Sequence, residues 1–285
     1  MIRLEDQVAM ITGSGRGLGA AYARLLAERG ARVVVHDAGV NKDGTGFDPN
    51  VAADAASRIR EAGGVAFPSN VILDSRDNCQ SLVETTLEKF GRLDILIHNA
   101  GWVAYQSVQE LTPDFLQRAI SINLEAPTWL AQAAFPIMKQ QNYGRIVLTT
   151  SDRAIYQQYA LRGLASYAMG KMALIGLMNV LAVEGKEHGI LVNAISPVAK
   201  TRMWNVQDEP EELRPDQVAP GVLYLASPEC RESGFILRAS NGQFTAARWI
   251  ERDNVEYPLN LAAVEVSTAE DLATRWQEIA ADVAF

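Results

Sequence analysis

A run of apolar residues from Val8 to Ile11 breaks into Thr12-Gly13-Ser14-Gly15-Arg16-Gly17-Leu18-Gly19, and a helical periodicity takes over from about Leu18 to Glu28. Strand, glycine loop and helix in that order leave few folds open, because the loop must turn tightly and bring bare backbone to the start of the helix. A β-branched run, Ala31 to Val35, follows. Further apolar runs at Val65 to Phe67, Leu93 to Ile97, Arg145 to Thr150 and Leu191 to Ile195 alternate with amphipathic stretches at about 51–62, 76–90, 112–139 and 165–185. Such alternation predicts an α/β fold, a parallel sheet with helices on both faces. The strands are continuous in Val, Ile and Leu, as strands covered on both sides should be.

The glycine loop lets backbone N–H groups approach a pyrophosphate, and the helix start favours its charge. Asp37, in Val33-Val34-Val35-His36-Asp37, lies about 20 residues beyond. A carboxylate there accepts hydrogen bonds from adenosine ribose hydroxyls and repels a 2′-phosphate, so the expected cofactor is NAD and the expected sheet is Rossmann-type and doubly wound. In His98-Asn99-Ala100-Gly101, at the end of the fourth strand, small Ala100 and Gly101 would let the cofactor pass close to the backbone, and Asn99 can tie neighbouring strands. His98 reads as structural. The strand Arg145 to Thr150 ends at Ser151, a hydroxyl able to donate to a carbonyl or alkoxide oxygen. Tyr167 and Lys171 are four residues apart in Ser166-Tyr167-Ala168-Met169-Gly170-Lys171 and would share a helix face, where the cation stabilises phenolate. Of the eight tyrosines only Tyr167 has a lysine or arginine four positions on.

Composition narrows the alternatives. A net charge of -8 argues against nucleic-acid and anionic-membrane binding. Cys79 and Cys230 lie far apart without paired spacing, and with three scattered histidines neither a disulfide framework nor a metal site is expected. No segment approaches about 18 uninterrupted apolar residues, the start shows no basic region leading into a long apolar run, and the end is no recognised targeting tail, so the expected location is cytoplasmic. Gly39 to Asn50 is a polar insertion, read as a surface loop, and the Pro-flanked segment from Pro197 to Pro215 as a lid. After a strand at Phe235 to Leu237 comes a tail with a helix expected from Thr268 to Ala281.

Together TGSGRGLG, HNAG, Asn123 in Ser121-Ile122-Asn123-Leu124, Ser151 and YAMGK resemble, over residues 5–240, the short-chain dehydrogenase/reductase family. Asn142 to Val147 leading to Ser151, the run Leu213 to Arg238 and Ala247-Arg248-Trp249 narrow the likeness to the (3R)-hydroxyacyl-CoA dehydrogenase part of peroxisomal multifunctional enzymes and their stand-alone bacterial relatives. The resemblance implies one dinucleotide-binding and catalytic domain over 1–240, with 241–285 an extension packed on it. It implies that Tyr167 is the general acid/base, that Lys171 is its partner and a ligand of the nicotinamide ribose, that Ser151 orients the substrate oxygen, and that Asn123 extends a proton path through water. Gly13, Ser14, Arg16, Gly17, Leu18 and Gly19 fall to the pyrophosphate loop, Asp37 to the ribose, Asp74 and Ser75 to the adenine. Asn99, Ala100 and Gly101 lie beside the cofactor, and Pro197 and Thr201 match the nicotinamide-amide contact.

Three departures stand out. His98 replaces an asparagine, Val198 replaces a glycine, and the interval of sixteen residues from Ser151 to Tyr167 is longer than usual in the family. The longer interval implies an enlarged loop from Tyr156 to Leu164 at the pocket mouth, with Tyr156 and Tyr159 as substrate contacts. The expected reaction is oxidation of a secondary alcohol to a ketone, on a (3R)-hydroxyacyl-CoA or a similarly bulky compound. The alternatives are a hydroxysteroid or alicyclic alcohol dehydrogenase, a carbonyl reductase, or a catalytically silent cofactor-binding regulatory protein. Relatives associate through the stretches 112–139 and 165–185, which implies a homodimer or homotetramer.

Overall fold

A computed structural model of the chain describes residues 1–201 and 211–280. The middle of the expected lid, residues 202–210, and the final residue of the expected tail helix lie outside these. The chain divides into two compact units, the first running from Met1 to Ala246 and the second starting at Ala247.

The first unit is an open α/β sheet. In chain order it contains β1 (Val8–Thr12), α1 (Gly17–Glu28), β2 (Arg32–His36), α2 (Asn50–Glu61), β3 (Val65–Ser69), α3 (Arg76–Phe90), β4 (Ile95–His98), α4 (Pro113–Ile120), α5 (Ala126–Gln141), β5 (Gly144–Thr149), α6 (Asp152–Ile155), α7 (Ala165–Gly185), β6 (Ile190–Val198), α8 (Ala219–Ala226), β7 (Ile236–Ser240) and β8 (Gln243–Ala247). The strand order is β3-β2-β1-β4-β5-β6-β7-β8. All pairings from β3 to β7 are parallel. The order reverses direction between β1 and β4, and the crevice beyond the strand ends at that point is where such sheets bind ligands.

Alternating strand residues serve opposite cores. Ala9, Ile11, Val33, Val35, Ile95 and Ile97 face a cluster completed by Tyr22 and Leu26 of α1, Ile59 of α2 and Val222 of α8. Met10, Val34, Leu96, Ile146 and Leu148 face the other, with Leu82 of α3, Leu130 and Met138 of α5 and Leu174 and Met178 of α7. This is the period of two expected of strands sandwiched between helical layers. Each fully buried aliphatic side chain contributes about 1.5–3 kcal/mol. At the edge opposite the crevice, buried Asp94 joins β1 to β4. It accepts from Val8 N at 2.9 Å and from Arg92 Nε and Nη2 at 2.8 and 2.7 Å.

Three expectations are corrected. The stretch 112–139 is helical from Pro113 on but not a regular α-helix: a π-helical turn, Ser121–Glu125, is set between α4 and α5. Residues 243–247 form a further strand after the two-residue turn Asn241-Gly242, both with positive φ (50° and 76°), the geometry of a type I′ hairpin. The tail helix is two short pieces, Ala269–Thr274 and Trp276–Ala280, the first capped by Thr268 accepting from Asp271 N. Among the described residues one helix, Ala165–His188, is long and apolar enough to cross a membrane by length and composition; in the fold it lies along β6.

Candidate active site

The glycine loop and the Asn99 loop are stitched together by a residue to which the sequence reading gave no role. The Thr12 hydroxyl accepts from Asn99 N and Ala100 N at 3.1 and 3.0 Å, so its own proton is left for His98 Nδ1 at 3.1 Å. Burial, aided by the Lys171 charge, pushes the His98 pKa down to about 3. His98 is therefore neutral and structural. Asn99 Nδ2 donates to the carbonyls of Thr12 and Gly13 at 3.2 and 3.0 Å. The only cue in the sequence was a β-branched hydroxyl directly before the first glycine.

Close approach explains the glycines. Gly13 has φ +63°, and a Cβ there would stand 2.9 Å from Ala100 Cα; a Cβ on Gly19 would strike the Gly13 carbonyl. α1 starts without a side-chain cap. Its first-turn amides are thus left for an anion, and a cradle with no room for a Cβ fits a dinucleotide's pyrophosphate. Asp37 accepts from Gly15 N at 3.1 Å and from Gly39 N at 2.8 Å, which fixes the carboxylate at the end of β2. Arg16 donates to the Val40 carbonyl at 3.2 Å, and Arg118 of α4 reaches the Asp43 carbonyl at 2.9 Å. The insertion therefore crosses the crevice from β2 to α4.

At the other end of the crevice, Ser151 follows β5 and its Oγ accepts from Arg153 N at 3.2 Å. Lys171 is buried; its Nζ donates to the Thr149 carbonyl at 2.9 Å, and its own carbonyl accepts from Thr150 Oγ1 at 2.7 Å. Burial pushes the Lys171 pKa down to about 8. Burial raises the Tyr167 phenol, opposed by its hydrogen bond with Ser151 and by the Arg153 charge. The π-helical turn places Asn123 inside, where its amide donates to the Trp102 carbonyl at 2.9 Å and accepts from Trp102 N at 3.3 Å. A Cβ on Gly101 would meet Asn123 Oδ1 at 3.1 Å and Lys171 Nζ at 3.2 Å, so the third loop glycine packs these groups together.

One cavity of about 1540 Å³ joins both ends. Among the expected residues it is lined by Gly13, Arg16, Gly17, Leu18, Asp37, Asp74, Asn99, Ala100, Gly101, Ser151, Tyr167, Lys171, Pro197 and Thr201. Four of the expected catalytic and cofactor residues are not on its wall. Ser14 Oγ turns inward, donating to the Ile11 carbonyl at 2.7 Å and accepting from His36 N at 3.0 Å. Gly19 packs behind the loop, Asn123 behind Gly101, and Ser75 caps α3 by accepting from Asn78 N at 3.2 Å. Tyr159 lines the cavity, whereas Tyr156 lies beneath the Arg238 guanidinium, 4.6 Å from it. Arg153, Arg238, Trp102 and Thr149 also line it and carried no sequence signal.

A parallel nucleotide-binding sheet with serine, tyrosine and lysine gathered at one strand end defines an oxidoreductase of the Rossmann type. Residues 7–212 match the short chain dehydrogenase family, and the chain belongs to it. It is 38% identical over 248 residues to the peroxisomal multifunctional enzyme type 2 of Drosophila melanogaster, covering 86% of this chain and 40% of that enzyme. The chain thus spans less than half the length of this relative. Among solved structures, a short chain dehydrogenase from Mycobacterium avium superposes with TM-score 0.80 at 26% identity, covering 97% of this chain and 95% of the other. A 7α-hydroxysteroid dehydrogenase, in complex with NADH and 7-oxo glycochenodeoxycholic acid, superposes with TM-score 0.74 at 29% identity over 84% of this chain and 95% of its own. The family uses NAD or NADP.

Proposed function

We propose that this chain oxidises a secondary alcohol to a ketone with NAD. The observation that carries this reading is the single cavity with Asp37 at one end and Ser151, Tyr167 and Lys171 at the other. The backbone of Gly13 to Gly19 would hold the pyrophosphate, Asp37 the adenosine ribose, Asp74 the adenine side, and Lys171 the nicotinamide ribose. When bound, the nicotinamide ring supplies the acceptor for the hydrogen and two electrons of the carbinol C–H bond. Ser151 holds the substrate oxygen and Tyr167 is the base that takes the hydroxyl proton. Asn123, behind Gly101, extends the proton path toward solvent. Asp37 favours NAD because a 2′-phosphate would approach a carboxylate already fixed by two amides.

The proposed substrate is a (3R)-hydroxyacyl-CoA, supported by the likeness to the multifunctional peroxisomal enzyme and by a cavity large enough for a bulky ligand beside the cofactor. A hydroxysteroid is the second reading, favoured by the steroid named with the 7α-hydroxysteroid dehydrogenase. Thioesters, steroid alcohols and cyclic alcohols, each offered with NAD and NADP, separate the readings. Thioesters ignored while free alcohols turn over would overturn the first, and no turnover with any would return the chain to a silent binding role. The exposed apolar face of α7, with Met169, Met172, Val180 and Val183, supports a homodimer or homotetramer. The proposed location is the cytoplasm; fractionation tests it against the peroxisome for which the Drosophila relative is named.

A further inference from the structure

We propose that Asp152 and Arg238 are a positioning pair that holds the Ser151 hydroxyl against Tyr167. The proposal rests on the acid–base reading of Ser151 and Tyr167. Asp152 directly follows Ser151 and opens α6. Arg238 Nε donates to both its carboxylate oxygens at 3.1 Å, Arg238 Nη2 to Oδ2 at 2.8 Å, and the Ser196 hydroxyl to Oδ1 at 2.7 Å. Ser196 and Arg238 are opposite partners in the β6–β7 ladder. One carboxylate, leaving the end of β5, is therefore gripped from the two strands beyond it.

The grip begins where the sheet ends. β5 stops at Thr149, and a last backbone bond, Thr150 N to the Ile195 carbonyl at 2.9 Å, ties the chain to β6. Ser151 is extended (φ -155°, ψ 136°) and beyond that bond. Its neighbour's carboxylate takes over the function of the ladder, at side chains only 17% (Asp152) and 28% (Arg238) exposed, where a charge-assisted, bidentate contact is weakly screened. On its outer side the same guanidinium lies over the Tyr156 ring, and Arg153 Nη1 donates to the Tyr159 carbonyl at 3.0 Å. The long connection to Tyr167 is thus anchored near its start. A serine displaced by about 1 Å loses productive geometry and on the order of 10²-fold in rate.

The test is a cycle of Asp152→Asn, Ser151→Ala and the pair, assayed with NAD and the alcohol that turns over fastest in the panel above. Asp152→Asn is expected to lower kcat about 10-fold with the KM for NAD little changed, and Arg238→Lys to restore part of what Arg238→Met loses. In the Ser151→Ala background, Asp152→Asn should then change kcat by less than about twofold, because the two act through one group. Should Asp152→Asn fail to give a cooperative thermal transition, Asp152→Ala with Arg238→Met removes both partners and leaves no buried charge unpaired. A substrate-free measurement runs beside these: ultraviolet titration of Tyr167, taken as wild type minus Tyr167→Phe, should move to higher pH in Asp152→Asn as in Ser151→Ala. Wild-type kcat in Asp152→Asn, an equal loss in the Ser151→Ala background, or an unmoved phenol titration overturns the pair's role. Retained turnover in Tyr167→Phe would instead overturn the reading beneath it.

Discussion

The Lys171 ammonium stands over the ring of Tyr167, 5.8 Å from its centroid, while its hydrogen bond goes to the Thr149 carbonyl. The lysine is fastened to the strand end. The groups that offset burial at the phenol are the Ser151 hydroxyl and the Arg153 charge. The spacing of four residues puts Tyr167 and Lys171 on one face, but strand β5 decides what the ammonium touches.

Tyr167→Phe should lower alcohol oxidation by at least about 10²-fold, the usual yield of a positioned acid or base. NADH binding, followed by its fluorescence, should stay within a few-fold of wild type. Near-normal turnover would remove Tyr167 from the chemistry.

Stability should depend on pH through Lys171. Its folded pKa, about 8, lies below the ordinary lysine value of 10.5, so between these the unfolded chain binds more protons than the folded one. Unfolding free energy therefore rises with pH in that window, the cost of the buried charge being fully present below it. Urea melts at pH 7.5 and 9.5 should show wild type gaining on Lys171→Met as pH rises. A constant difference would place the ammonium in a more solvated setting than this structure gives it.

Asp37→Ala should weaken NAD binding about 10-fold, since carboxylate hydrogen bonds contribute about 1.5–3 kcal/mol each. It should narrow the preference for NAD over NADP. Titration of both cofactors checks this, and an undiminished preference would move the discrimination elsewhere.

Asp94→Ala tests the frame apart from the site. It strips a fully buried carboxylate from Val8 N and Arg92 and leaves the amide without a partner. The expected loss is about 2–3 kcal/mol by denaturant melt, with KM for NAD little changed.

Much of this was legible in the sequence because it is local. The Gly13 to Gly19 loop, the strand ends at His98 and Ser151, and the Tyr167–Lys171 face each follow from a few adjacent residues. What was not legible arises from tertiary packing. The π-helical turn at Ser121–Glu125 has no signature in local sequence, so Asn123 was placed by resemblance alone. Ser14 and Ser75 were assigned to the cofactor by resemblance, and their hydroxyls satisfy backbone groups of β1, β2 and α3. The Arg238 contact with Asp152 spans 86 residues of sequence and could not be read from spacing. The β7–β8 hairpin was readable, since Asn241-Gly242 is a strong turn signal.

Lys171 is bound at both its ends, side-chain nitrogen to Thr149 at the end of β5 and carbonyl to Thr150 just beyond it. The first turns of α7 cannot slide along the sheet without breaking both bonds together, so the proton-handling end of the crevice behaves as a rigid wall. The connection between Tyr156 and Leu164, which leads into α7, brings Tyr159 and Leu164 to the cavity, and its tip residues Tyr159 and Leu161 are exposed. Changes at that tip should therefore alter which alcohols are admitted while leaving the speed of the bond-making step untouched.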